Sequence, residues 1–106
     1  MNSKELEEQI IRNYERDESM MILVFAQWCV NHGLDPADVY HKAYPKQAAN
    51  HALQQAIELT VPKQEAGEIP DETLLGVLGL FGNDELAFVV TELMDARKLR
   101  NKTSEA

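Results

Sequence analysis

The run Met20-Met21-Ile22-Leu23-Val24-Phe25-Ala26-Gln27-Trp28-Cys29-Val30 constrains the fold of this chain more than any other stretch, because it offers water almost no polar face. A helix that is apolar nearly all round has to be enclosed by several neighbours or by a partner subunit. The run falls well short of the roughly 20 residues needed to cross a bilayer. It is therefore expected to be a central core helix, and no membrane partner is expected. Asp17-Glu18-Ser19 either continues an earlier helix into it or starts a new one. At its far end His32-Gly33-Leu34 supplies a stop: glycine adopts the left-handed conformation of a helix terminus, and the following leucine can close the hydrophobic contact that goes with it.

The flanking sequence is also helical in pattern. Asn2 or Ser3 can cap a first helix, with Glu5, Glu7 and Glu8 suited to its positive end. Leu6, Ile10, Ile11 and Tyr14 then recur at helical spacing opposite a charged face. Asp35-Pro36-Ala37-Asp38 combines a capping acid with a proline at the first helical position, and predicts a short helix to about Ala43. Pro45 pushes Tyr44 away from helical geometry, and a further helix is expected from Lys46 to about Leu59, with an alanine-rich apolar side that permits close helix approach rather than deep burial, and so a thin contact.

Val61 to Pro70 has the composition of a surface loop and is expected to be the most mobile segment. Pro70-Asp71-Glu72 then starts a helix through Phe81, and Gly82-Asn83-Asp84-Glu85 ends it and caps another that reaches Leu99. Gly76 and Gly79 inside this pair either allow close backbone contact or weaken the helix. The expected architecture is an all-α, compact bundle of five or six helices ending in a helical hairpin. Residues 1–100 form the domain and residues 101–106 a polar C-terminal tail.

One local pattern points elsewhere. Ile22-Leu23-Val24-Phe25-Ala26-Gln27-Trp28-Cys29 resembles the strand and Trp-Cys entry of the thioredoxin family. The resemblance would put Ile69-Pro70 near that family's cis-proline and Leu74 to Val90 in a hairpin turning at Gly82-Asn83-Asp84. It implies a thioredoxin-like redox protein with a single thiol, Cys29, because Val30-Asn31-His32 stand where the family has Gly-Pro and a resolving cysteine. The helix signals at Asp35-Pro36 and after Pro45 occupy the place of the family's next strand, and no turn precedes Thr91-Glu92-Leu93. The helical reading accounts for these joints, with Trp28 and Cys29 as core residues.

Composition narrows the function classes. The net charge is -8, and the last ten residues are basic through Arg97, Lys98, Arg100 and Lys102. Phosphate neutralisation supplies most non-specific nucleic-acid affinity, so nucleic acid is not an expected partner. A single cysteine forms no internal disulfide and favours the cytoplasm. The first eight residues lack the basic and apolar regions of an export signal.

Candidate chemistry is sparse. His32, His41 and His51 lack the spacing of a metal site, and His32 is expected simply to complement a helix C-terminus. The acid pairs Glu7-Glu8, Asp17-Glu18, Asp71-Glu72 and Asp84-Glu85 are expected to be solvated acids at helix starts rather than catalytic pairs. A helix-turn-helix is disfavoured because its second helix would begin Asp84-Glu85. No catalytic residue, metal or cofactor is expected. The expected role is a small, acidic, cytoplasmic, non-catalytic protein-interaction or regulatory module, acting on a protein partner or a second copy of itself. The candidate surface is Leu6, Ile10 and Tyr14 of the first helix, together with the apolar face of the last.

Overall fold

The computed structural model describes the backbone of residues 3–47 and 51–104, with side chains except those of residues 3, 6, 7, 10–15 and 102–104. Six helices follow one another among the described residues, with no strand between them: α1 (Ser3–Asn31), α2 (Pro36–Ala43), α3 (His51–Leu59), α4 (Lys63–Ala66), α5 (Asp71–Leu80) and α6 (Asp84–Ser104). The protein is an all-α bundle. Asp17-Glu18-Ser19 continues the first helix, so the amphipathic and apolar stretches share one helix of 29 residues.

Only part of α1 is core. Its described side chains are exposed as far as Met20, and burial begins at Met21. Phe25, Ala26, Trp28 and Cys29 are then almost fully enclosed, with Leu53 and Ala56 of α3, Leu74 and Leu78 of α5, and Leu86, Val90 and Met94 of α6 completing the core. α1 packs most extensively on α3 and also touches α2, α4 and α5, while α6 leans on α2 and α5. The alanine-rich side of α3 gives the close approach expected of it, but the contact is extensive and buries Leu53 and Ala56 rather than being thin. The terminal hairpin rests on α1 chiefly through α5.

The helix ends follow the local chemistry. Gly33 has φ +70°, Leu34 N–H donates to Cys29 C=O across 2.8 Å, and Gly33 N–H donates to Val30 C=O across 3.1 Å, the paired bonds of a Schellman ending. Gly82 at φ +68° ends α5 in the same way, with Asn83 N–H on Leu78 C=O. Asp35 caps α2 by accepting from Ala37 N–H across 2.9 Å, ahead of Pro36.

Three local expectations need correction, and one open alternative is decided. Lys46 and Gln47 belong to a turn after Pro45, and the described part of α3 starts at His51, because Gln47 N–H bonds back to Tyr44 C=O rather than opening a helix. The Val61–Pro70 segment is not simply loop: Pro62 leads into the single turn of α4, closed by Ala66 N–H on Pro62 C=O. Gly76 and Gly79 make no close approach, since a Cβ at either would meet nothing within 4 Å. Finally, the helix of α6 continues into the polar C-terminal residues as far as Ser104.

Candidate functional site

Two features of the surface are built by more than one element. The first is polar and begins on α1, where Trp28 and His32, four residues apart, share a helix face. Their rings lie 4.6 Å apart between centroids. The buried indole needs an acceptor for its N–H, and finds it in Asp71 Oδ1 at 3.1 Å, at the first residue of α5. Asp71 Oδ2 in turn forms an ion pair with Arg97 of α6. The same guanidinium places Nη1 3.0 Å from His32 Nδ1 and 3.2 Å from Nε2. Trp28, Asp71, Arg97 and His32 therefore close a ring that joins α1, α5 and α6.

The charges of this ring tune one another. Burial pushes the Asp71 carboxyl up, but hydrogen bonds from Arg97 and Trp28 and the positive charge of Arg97 outweigh it, leaving the pKa below its ordinary value. Burial lowers His32, and the neighbouring Arg97 and Lys63 lower it further against the opposing pull of Asp71 and Glu68. These influences favour the neutral form of His32, against the dipole-complementing role its position suggested. Asp71, likewise, is not a solvated helix-start acid. His32, Asp71 and Arg97 of this ring line a cleft of about 670 Å³, together with Glu68, Glu72, Asp95 and Lys98.

A second polar element holds the segment below. Gln27, buried on α1, grips both backbone groups of Val61: its Nε2 donates to the carbonyl at 2.8 Å and its Oε1 accepts from the N–H at 3.0 Å. Asn31, one turn on, accepts from Gln27 Nε2 at 3.0 Å and donates to Gly67 C=O at 3.0 Å. The segment expected to be most mobile is pinned to the core helix at both sides of α4.

The other surface feature is apolar. Met20, Met21 and Val24 of α1 face Val77 and Leu80 of α5 and the following Phe81 across an open groove of about 670 Å³, with Asp17 at its edge. Leu80 is 84% exposed and Met20 57%. The residues lie at helical spacing on two adjoining helices, so the groove is a continuous apolar trough rather than scattered exposure.

Residues 2–95 match the YxiS family, a span that takes in the whole of α1 and the whole groove. The chain belongs to the YxiS family. A YxiS protein of Bacillus subtilis (strain 168), described as "Uncharacterized protein YxiS", is 55% identical over 93 residues, covering 87% of this chain and 97% of the relative. No solved structure gives a significant match. Within the YxiS match lie Trp28, His32 and Asp71, whereas Arg97 falls just beyond it.

The candidate surface residues Leu6, Ile10 and Tyr14 have side chains outside the described residues; their backbone belongs to α1, the helix that also carries the groove residues Met20 and Val24. On α6, Phe88 and Leu99 are exposed, whereas Leu86, Val90 and Met94 are core. Ile22 to Cys29 is helical, not a strand, and the Ile69–Pro70 bond is trans, so the thioredoxin-like arrangement does not form. Cys29 is fully buried, and burial together with Asp35 pushes its thiol up to about 12. His41 and His51 are exposed. The described residues bring together no group of three or more side chains suited to a metal ion, and no described helix is long and apolar enough to cross a membrane.

Pattern reading did not find Asp71 and Arg97 as partners. The available signal was chemical: a tryptophan inside an apolar run brings an N–H that requires an acceptor from elsewhere in the chain.

Proposed function

We propose that this YxiS-family chain is a non-catalytic protein-interaction module of the cytoplasm that receives an apolar helical surface of a protein partner, or of a second copy, in the α1–α5 groove. The observation that carries the reading is the exposure of Leu80 and Met20 beside Val24, Val77 and Phe81 in one trough. A contiguous apolar patch of this kind is the usual mark of a contact surface. The unbranched thioether side chains of Met20 and Met21 adapt readily to the shape of an incoming helix. Leu6, Ile10 and Tyr14 belong to the same helix, α1, on the N-terminal side of Met20.

The polar ring supports a structural rather than a chemical role for its charges, since Asp71 and Arg97 satisfy each other. A single-thiol redox role for Cys29 is disfavoured because the nucleophile is the thiolate, and this thiol is enclosed and held protonated. The acidic balance of the chain disfavours nucleic acid as the partner.

The test is affinity capture with the wild-type chain and with Leu80→Glu and Met20→Glu, two changes at exposed positions, with circular dichroism checking that the helical fold is kept. Capture of a defined partner by the wild type and its loss from both variants is the expected result. Light scattering of the same three proteins reads self-association. Identical partners and identical mass for all three would refute the groove as the contact surface.

A further inference from the structure

The ring of Trp28, Asp71, Arg97 and His32 contains an arrangement that depends on one proton. A neutral imidazole has one nitrogen that accepts a hydrogen bond, whereas a protonated imidazole has none. Arg97 is always charged, and its Nη1 lies within 3.2 Å of both ring nitrogens of His32. This contact is attractive only while the ring is neutral. It also links the C-terminal end of α1 to α6, a helix that packs mainly on α2 and α5.

We propose that His32 is a proton-operated latch: its neutral ring holds Arg97 against the end of α1, and its protonation by solvent repels the guanidinium and loosens the joint between α1, α5 and α6. Burial and the groups facing His32 set the balance, burial disfavouring the proton most. Arg97 of α6 and Lys63 of α4 oppose protonation, and Asp71 of α5 and Glu68 of the segment before it favour it. Glu72, Asp95 and Lys98 line the same cleft. Once His32 is charged, Arg97 is left to Asp71 alone, and the carboxylate that accepts the Trp28 N–H is pulled with it. The cleft widens on the side of α6. The molecule thereby acquires a response to mild acidification, a range in which histidine is the ordinary sensor.

Trp28 is the one tryptophan of the chain, so its indole N–H reports the latch without labelling other sites. The experiment is a nuclear magnetic resonance titration of the full chain from pH 8 to pH 4.5, following the His32 ring protons and the Trp28 indole N–H together. The expected result is a His32 midpoint below the unperturbed value of about 6.5, with the indole resonance moving, and its solvent exchange accelerating, at that same midpoint. In Arg97→Gln the His32 midpoint rises, and in His32→Gln the indole transition disappears, while His41 and His51 titrate as in the wild type. An indole N–H that keeps its shift and slow exchange while His32 titrates overturns the latch, a result readable from the wild type even where a variant fails to fold. A His32 midpoint unchanged in a folded Arg97→Gln overturns it equally.

Discussion

The indole Nε1 of Trp28 donates to Asp71 Oδ1 across 3.1 Å, joining the last turn of α1 to the first residue of α5, 43 positions away in the chain. Removing the carboxylate strips an acceptor from a buried donor and a counter-ion from Arg97. Asp71→Ala is expected to cost about 1–2 kcal/mol in urea unfolding, the lower part of the range for an orphaned polar group because the pair is half-buried. Asp71→Asn keeps an acceptor for the indole and should cost less.

Gln27 acts through geometry of a different kind. Its carboxamide matches one donor and one acceptor to the two backbone groups of Val61. Gln27→Glu presents a carboxylate, which cannot donate to the Val61 carbonyl, and Gln27→Ala leaves both groups unpaired. Each substitution should destabilise by about 1–3 kcal/mol. Each should also speed proteolysis and amide exchange between Val61 and Glu68 more than elsewhere.

The glycines of α5 and those at the helix ends should respond in opposite directions. Gly76 and Gly79 lie in a helix with open space where a Cβ would go, so Gly76→Ala and Gly79→Ala should each stabilise by about 0.5–1 kcal/mol. Gly33 and Gly82 hold φ near +70°, where an alanine is strained by about 1–2 kcal/mol. Thermal melts of the four variants separate the two classes.

Acid should weaken the fold in two steps. The pKa of folded His32 is lowered, so below about pH 6.5 the unfolded chain takes the proton more readily and stability declines as pH falls towards the folded value. Asp71 is lowered as well, so its contribution is present above the ordinary carboxylate value and is lost as pH falls through its folded one. Urea midpoints measured from pH 8 to pH 3 should fall in both windows. His32→Gln should remove the upper one.

Cys29 should be inert towards a thiol reagent in the folded state, because its sulfur is enclosed and protonated. Its labelling rate is expected to rise with added urea in step with unfolding. Labelling at the rate of an exposed thiol in native buffer would contradict the packing of α1.

Much of this architecture was legible in the chain because it is local. Gly33-Leu34, Asp35-Pro36 and Gly82-Asn83 announce helix ends through backbone chemistry confined to a few residues, and Met20 to Val30 announces a core helix by having no polar face. The site was less legible because its parts act across long separations. Asp71 reads locally as a helix-start acid and Arg97 as a helix-end base, and only the approach of α5 and α6 to Trp28 turns them into a pair. Gln27 and Asn31 look like minor interruptions in an apolar run, yet they pin the Val61–Gly67 segment. The groove was hidden for a related reason: Leu80 follows the apolar pattern of α5, and nothing in that pattern says that the last turn extends past the core.

Site-directed cross-linking tests the groove as a contact surface most directly. A photoreactive label on Leu80→Cys, with Cys29 left in place as a buried thiol, is compared in a lysate of the native cell with the same label on Glu58→Cys at an exposed position of α3. A discrete cross-linked species at position 80, absent at position 58, is the expected result and identifies the occupant as another protein or a second copy. The same products at both positions, or none at position 80, would contradict the assignment of the groove.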